Sequence, residues 1–397
     1  MDPKLFSANS NGSLVRTQNG NPAFLPNPLP PKIDLGKGSL LDVLLRTAEA
    51  VAALNQTAHD IQNPMLIASI SNVFATVEAR LSSKIEGIHT TTVDLLLAQH
   101  EDEEIEGEEI KAISSAPTEA RNYIRAIRKG QSRLKDPDDI PICNRMIRDL
   151  HRDLLSGVRG KNKNPGEFRK DQNAIGREGD TEETAFYVPP PPMLMIQAME
   201  QLEEFVNNED AKKINIYVRA AMVHYQFESI HPFMDGNGRV GRLLTILMFL
   251  DESKLEHALI YPSAYYDNHQ VEYYERLMRV STNGEWEEWI IFFLKGIDSQ
   301  ARDAIRRIEL SRELHLRYRN EYINRNQPGQ LLGLIEYLFG NPVVTPNSVM
   351  RLGMTRDTAY RYLRILEEDG VLVATKPKGR RNRAFVALDI LQTIENG

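Results

Sequence analysis

Apolar residues recur every three to four positions over most of the chain, which is the spacing of one buried face of an α-helix. This pattern runs from Leu40 to about Leu97, through residues 115–158, and again from Met193 to about Arg317. The sequence shows no internal repeat. The sequence therefore predicts a mainly α-helical protein.

Two segments lack this periodicity. Residues 1–37 are rich in Asn, Gly, Pro and Ser. Because that composition buries little apolar surface, we expect an extended arm that lies on the body. Residues 161–192 are dominated by Gly, Pro, Asn and charged residues, and within them Gln172–Ile175 could pair as a strand. We expect a long loop with a small hairpin there, and long loops inside compact domains tend to carry function.

A smaller unit follows a polar linker at residues 320–330. Its apolar spacing predicts three helices, the third capped by Thr355 and ended by Gly370, and two β-branched strands come next. Three helices followed by a two-stranded ribbon are typical of the winged helix-turn-helix. The basic residues of this unit could contact DNA phosphates, and a role in dimerisation or target docking is an equal alternative. They are Lys376, Lys378, Arg380, Arg381 and Arg383 between the strands, and Arg356, Arg361 and Arg364 on the third helix.

The composition, with 41% hydrophobic and 26% charged residues among 397, is ordinary for a globular protein. A single cysteine, Cys143, cannot form an internal disulfide, and the apolar run Leu243–Leu250 is far shorter than the ~20 residues of a membrane span. The net charge of −7 argues against a whole surface built for nucleic acid. We expect a cytoplasmic protein with no membrane partner. Its predicted parts are an arm (1–37), an N-terminal helical region (38–112), a helical core (113–318) and the winged-helix unit (330–397).

The residue types of one segment, His231–Arg242, are those of a phosphate site. Its sequence is HPFMDGNGRVGR, and its small residues stand where a loop enters a helix. Small residues let backbone N–H groups approach an anion, and a helix N-terminus adds a favourable dipole. Arg239 and Arg242, three residues apart, share one helix face and could clamp polyphosphate oxygens. The loop residues are Gly236, Asn237 and Gly238.

Two further side chains of this segment suit the same chemistry. Asp235 is a hard oxygen ligand for Mg²⁺ carried by a nucleotide, and His231 is a natural proton acceptor near neutrality. Each residue taken singly also fits an ordinary structural role, as a core histidine, a turn or a helix cap. Arginines in a first helical turn, however, oppose the helix dipole unless an anion is present. The combination within twelve residues favours a phosphate-binding site.

This segment resembles the signature of the Fic family, HPFx(D/E)GNGRxxR, at every specified position. Fic proteins have a helical fold and transfer AMP from ATP to a hydroxyl side chain of a target protein, with release of pyrophosphate. The resemblance implies that His231 deprotonates the target hydroxyl and that Asp235 holds Mg²⁺. The nucleotide-binding residues that it implies are Gly236, Asn237, Gly238, Arg239, Val240, Gly241 and Arg242, with Tyr273 and Tyr274 closing the adenine pocket.

A second segment, EARLSSKIEGIHTT, carries Ser82, Glu86 and Gly87. Gly87 is predicted to cap a helix, which puts Glu86 near the end of that helix, where the dipole disfavours a carboxylate. A cation, best an arginine, is therefore the expected partner. The segment resembles the family's inhibitory motif (S/T)xxxE(G/N) in its N-terminal placement. That resemblance implies that Glu86 pairs with Arg242 and prevents ATP from binding productively.

The loop of residues 166–192 resembles the family's flap, a hairpin that aligns the target segment by strand pairing. The resemblance implies target docking by residues 173–176, and an ordinary hairpin remains the alternative for the last two. These residues are Asn173, Ala174, Ile175 and Gly176.

Three functions follow from these patterns. The first is a self-inhibited protein adenylyltransferase that uses ATP and Mg²⁺ on a Ser, Thr or Tyr of a target protein. The second is a transcription regulator that binds DNA through the winged helix and senses nucleotide without turnover. The third keeps the fold with another nucleotide donor, or removes AMP instead of adding it. A homodimer is left open in each case.

Overall fold

A computed structural model describes residues 1–36, 38–61, 64–104, 115–136, 139–158, 163–177, 179–252, 255, 257–375 and 384–396. Helices build its body and the sheets are small, which confirms the mainly α-helical prediction. Within these ranges no helix combines the length and the apolar character that crossing a membrane requires.

The arm predicted for residues 1–37 lies on the body, but part of it is folded rather than extended. Strands β1 (Gly12–Arg16) and β2 (Pro22–Pro26) pair antiparallel, with Val15 opposite Ala23. Gly20 turns the chain between them with a φ of +81°, a conformation that glycine adopts at little cost. We call residues 12–26 the arm hairpin.

The helices of the body all pack into one hydrophobic core. Helix α1 lies along the long helix α11, and α2 packs against α4 and α9. Helices α7 and α8 pair at the centre and are buried on nearly all sides, as expected for core helices. Their bounds are α1 Gly38–His59, α2 Pro64–Ile85, α3 Thr92–Glu104, α4 Ser115–Lys135, α5 Asn144–Leu154, α6 Pro192–Asn207, α7 Ile216–Ile230, α8 Asn237–Asp251, α9 Pro262–Asn268, α10 Gln270–Asn283 and α11 Trp286–Asn324.

The flap, residues 166–192, contains one antiparallel bridge. Ile175 and Tyr187 exchange two backbone hydrogen bonds, with N···O distances of 2.8 and 3.1 Å. The small hairpin expected in this loop is therefore present, reduced to a single residue pair.

The C-terminal unit has the three predicted helices, and Thr355 caps the third by accepting from the Thr358 N–H. A short strand before the second helix joins the two predicted strands in a sheet of order β3-β5-β4. Residues 376–383, with their five basic side chains, lie outside the described ranges, and the winged-helix assignment stays a prediction. The bounds are α12 Gly329–Leu338, β3 Val343–Val344, α13 Pro346–Met350, α14 Arg356–Glu368, β4 Val373–Ala374, β5 Phe385–Val386 and α15 Leu388–Asn396.

The C-terminal unit is docked on α2 and α3 of the body. Asn72 of α2 donates a side-chain hydrogen bond to the Gly340 carbonyl at 3.3 Å, and Arg80 lies 3.9 Å from Glu395 of α15. Leu96 of α3 is buried in a small apolar cluster shared with β3, β5 and α15. The unit is thus continuous with the body, and α11 includes the first five residues of the stretch predicted as a linker.

Candidate active site

His231 stands directly after α7, in a left-handed backbone conformation with φ +50° and ψ +62°. Such a conformation costs roughly 1–3 kcal/mol for a residue with a side chain, and surrounding contacts must hold it. Arg169 of the flap supplies them: its Nε donates to the His231 carbonyl at 3.0 Å, and its backbone N–H donates to the Pro232 carbonyl at 2.9 Å. The turn brings the imidazole to the start of α8.

The imidazole of His231 is neutral at physiological pH. Burial and the nearby Arg169 lower its pKa to about 4. Its Nδ1 lies 3.3 Å from the Glu228 carbonyl oxygen, which favours the tautomer with the proton on Nδ1. Nε2 is then left with a lone pair that can accept a proton.

The loop from Gly236 to Gly238 opens α8 without a side-chain cap, so the first backbone N–H groups of the helix have no helical partner. Asn237 stiffens this loop, because its side chain accepts from the Phe233 N–H at 2.9 Å and donates to the Phe233 carbonyl at 2.8 Å. A Cβ added at Gly238 would lie 2.3 Å from Oε1 of Glu86. The mouth of α8 therefore already holds a carboxylate.

Arg242 is 1% exposed, and its guanidinium bonds to the end of α2. It donates to Oε1 of Glu86 at 2.8 Å, to the Ser82 hydroxyl at 2.9 Å and to the Ser82 carbonyl at 3.0 Å. Gly87, at φ +79°, ends the helix and presents Glu86 in the turn that follows. Burial opposes ionisation of Glu86, but Arg242 outweighs it and lowers the pKa of that carboxyl.

Arg239 is also buried, in an ion pair that the sequence did not indicate. Its guanidinium donates to Glu119 of α4 at 3.0 Å, and both side chains are 2% exposed. A second contact reaches Oδ1 of Asp235 at 3.3 Å. No motif surrounds Glu119 in the sequence, so only the packing of α4 against α8 identifies it.

Asp235 is held through its backbone by His151, another residue that sequence reasoning missed. The Gly166 N–H donates to Nδ1 of His151 at 2.8 Å, so Nε2 carries the proton and donates to the Asp235 carbonyl at 3.0 Å. The ring stacks on Phe233 with centroids 3.7 Å apart. A partly exposed Asp235 carboxylate is thereby presented beside the loop.

The residues present fit a nucleotide-borne Mg²⁺ better than a metal site made by the protein alone. Mg²⁺ is commonly held by one or two carboxylates together with substrate phosphates, and Asp235 offers one such group. Across the described ranges no group of three His, Cys, Asp or Glu side chains could hold a metal ion.

Two of the predicted nucleotide-binding residues, Tyr273 and Val240, pack among core residues. Tyr273 is 1% exposed, and its hydroxyl lies 2.8 Å from Nε2 of the buried His224, so its ring packs rather than lining an open pocket. Val240 is 1% exposed within the main core. Tyr274, 48% exposed, remains accessible. Oε1 of Glu228 lies beside Gly241, and a Cβ added at Gly241 would lie 2.4 Å from this oxygen. The oxygen has no hydrogen-bond partner among the described residues.

The predicted docking residues lie along one side of the flap. The Asn173 side chain donates to the Phe233 carbonyl at 3.0 Å, which ties the flap to the loop of the site. Both backbone groups of Ile175 bond to Tyr187, so the backbone groups of the neighbouring Ala174 and Gly176 point away from Tyr187. An added Cβ at Gly176 would lie 2.3 Å from a carboxylate oxygen of Asp180, which explains the glycine.

Comparisons with known proteins identify the family of this chain. Residues 141–249 match the Fic/DOC family, and residues 41–132 match the Fic/DOC family N-terminal region. The chain is 29% identical over 178 residues to protein adenylyltransferase Fic of Drosophila grimshawi, which covers 44% of this chain and 30% of that protein. The Drosophila melanogaster protein of the same name is 28% identical over 156 residues, 38% of this chain and 27% of that protein. The chain therefore spans less than a third of the length of these relatives.

Two solved structures share the fold. A Fic family protein from Desulfovibrio desulfuricans superimposes with a TM-score of 0.56 at 20% identity, over 90% of this chain and 98% of that one. A Fic domain containing signaling protein from Bacteroides thetaiotaomicron gives a TM-score of 0.51 at 18% identity, over 65% and 95%.

Proposed function

Residues 41–132 and 141–249 belong to the Fic/DOC family, and on that premise we propose that the protein transfers AMP from ATP to a hydroxyl side chain of a target protein. The single observation that carries the proposal is the mouth of α8, where a carboxylate already occupies an anion site beside a neutral histidine. A phosphate group is the ligand that such a helix N-terminus binds best.

In the proposed reaction, Nε2 of His231 takes the proton of a target Ser, Thr or Tyr hydroxyl. The oxygen attacks the α-phosphorus of ATP, and the bond to the bridging oxygen breaks with release of pyrophosphate. Backbone N–H groups of residues 237–239 and the guanidinium of Arg242 stabilise the phosphate charge. Asp235 would hold Mg²⁺, which when bound supplies further positive charge to the phosphates.

We also propose that Glu86 inhibits this reaction. Its carboxylate lies next to Gly238 and accepts a hydrogen bond from the Arg242 guanidinium at 2.8 Å. ATP therefore has to displace Glu86 both from the N-terminus of α8 and from Arg242. The predicted role of Arg239 on the β/γ end of ATP has less support, because Glu119 and Asp235 already hold that side chain.

The test is labelling with ATP carrying ³²P at the α-phosphate, for the wild type, Glu86→Gly and Glu86→Gly/His231→Ala. We expect strong labelling of protein only for Glu86→Gly, with nucleotide binding retained in the double variant. If neither the wild type nor Glu86→Gly labels any protein, the sensor hypothesis is favoured. A mass increment on the modified protein that differs from AMP would instead indicate another donor.

A second candidate function is DNA binding by the C-terminal unit. Arg356, Tyr360 and Arg364 follow one another at four-residue spacing on α14, and all three are exposed. The Arg356 guanidinium lies 5.8 Å from the Tyr360 ring centre, a pairing suited to a phosphate backbone. Fluorescence anisotropy with a random duplex tests this: binding should weaken as salt rises, and Arg356→Ala/Arg364→Ala should weaken it at every salt concentration.

A further inference from the structure

One flap residue, Glu182, is bonded by three side chains of the arm. Thr17 Oγ1 donates to it at 2.7 Å, Asn19 Nδ2 at 2.9 Å and Asn21 Nδ2 at 3.0 Å. All three donors come from the turn of the arm hairpin, which also closes on itself through a backbone hydrogen bond from Thr17 to Asn21 at 2.9 Å. The turn is thus shaped in advance to receive a carboxylate.

The arm covers the apolar side chains of flap residues 185–188. A separate apolar cluster unites the two segments, and Phe24 at its centre is fully buried. The Phe24 N–H donates to the Val188 carbonyl at 2.9 Å, next to the flap bridge at Tyr187. The buried members of the cluster are Met1, Ala23, Phe24, Ala185, Tyr187 and Val188.

The arm therefore covers one edge of the flap, while no described residue bonds to the backbone of Ala174 or Gly176 on the other edge. The hydrogen bond from β2 occupies the 187–188 side, while the backbone groups of Ala174 and Gly176 face away from it. In an antiparallel pair, the residues flanking a bonded pair direct their backbone groups outward. An extended peptide can pair only on that outer edge.

Both segments are also bonded to α7, the helix that directly precedes His231. The Tyr187 hydroxyl donates to the Ser229 carbonyl at 3.0 Å, and Gln226 of α7 donates to the Asn27 carbonyl at 3.0 Å, just beyond the arm hairpin. The distance from the open edge to the imidazole therefore depends on these contacts together with the direct hydrogen bonds of Arg169 and Asn173 to the loop of the site.

We propose that the arm hairpin positions the flap for target docking, and that Glu182 is the positioning residue through which it does so. This inference rests on the proposed transfer of AMP to a protein hydroxyl. The target segment is an extended peptide that pairs on the 174–176 edge, and loss of the arm contacts lets that edge move relative to His231.

The test compares Glu182→Ala with Glu183→Ala, its exposed neighbour, both in the Glu86→Gly background. The substrate is a synthetic library of nine-residue peptides with a central Ser, Thr or Tyr, and hydrogen exchange is followed at the Ile175 and Tyr187 amides. We expect Glu182→Ala to raise KM for peptide about tenfold and to speed exchange at both amides about tenfold or more, with KM for ATP unchanged. Glu183→Ala should change neither. Thr17→Val/Asn19→Ala should reproduce the effect from the arm side, and it should add little when combined with Glu182→Ala.

Unchanged exchange in Glu182→Ala would overturn the inference, as would an equal loss of ATP and peptide affinity. If no variant transfers AMP at all, the proposed function fails by itself, and the exchange data still decide whether the arm holds the flap. Thermal unfolding of each variant separates a local effect from a loss of folding.

Discussion

Replacing Glu86 by glycine removes the carboxylate that pairs with Arg242 at the mouth of α8. The lost interaction is a single charge-assisted hydrogen bond of 2.8 Å between a guanidinium that is 1% exposed and a carboxylate that is 30% exposed. Hydrogen bonds to charged groups contribute about 1.5–3 kcal/mol. Each factor of ten in a rate corresponds to about 1.4 kcal/mol. In Glu86→Gly, where ATP no longer competes with Glu86, the transfer rate at limiting ATP concentration should therefore rise roughly 10- to 150-fold.

The assay is the initial rate of ³²P transfer at ATP concentrations far below KM. Lys84→Ala is the matched control, because it removes a neighbouring ion pair to Asp267 at 2.7 Å that does not reach Arg242. Ser82→Ala should give a smaller increase, since the Ser82 carbonyl still accepts from Arg242. A Glu86→Gly rate within twofold of the wild type would refute the inhibitory role of the pair.

Three further outcomes are expected. Burial and Arg169 lower the pKa of His231, and Glu86→Gly removes a charge that raises it, so transfer by Glu86→Gly should stay level from about pH 8 down to about pH 5; a half-maximal rate at about pH 6–6.5 would show an imidazole with its ordinary pKa and would contradict the burial of His231. Glu119→Ala leaves the Arg239 charge buried without the partner that lies 3.0 Å from it, so urea unfolding should show a loss of about 3 kcal/mol, and a loss under about 1 kcal/mol would argue against the buried pair. Asn237→Ala leaves the Phe233 N–H without this partner, while the Phe233 carbonyl keeps its hydrogen bond from Asn173, so the unfolding free energy should fall by about 1–3 kcal/mol and ATP affinity should fall with it; unchanged affinity would show that the loop keeps its shape without Asn237.

The helical body could be predicted because its apolar spacing is local and long. The arm hairpin could not, since its strands have five residues each and β2 both begins and ends with proline, although Asn19–Gly20 is a recognisable turn signal. Strand β3 has only two residues and leaves no periodic trace.

The residues of the candidate site likewise fall into those that a local sequence pattern indicates and those that it does not. His231–Arg242 is contiguous, so its chemistry could be read as one segment, and the motif around Glu86 indicated a partner 156 residues away. Glu119 and His151 each contribute one side chain from a separate helix, and a lone Glu or His carries no local pattern. Tyr273 is buried beside His224, a placement that the sequence did not indicate, and its contact with adenine stays a prediction.

Helix α2 meets the C-terminal unit at Asn72 and Arg80 and then ends beside Glu86. A molecule that preferred a shifted placement of that unit would change the free energy of the Glu86–Arg242 contact at the far end of the same helix. Linkage makes this coupling symmetric: ATP, by displacing Glu86, would alter the affinity for that molecule by an identical factor. Measuring either affinity with and without the other ligand would therefore report on both.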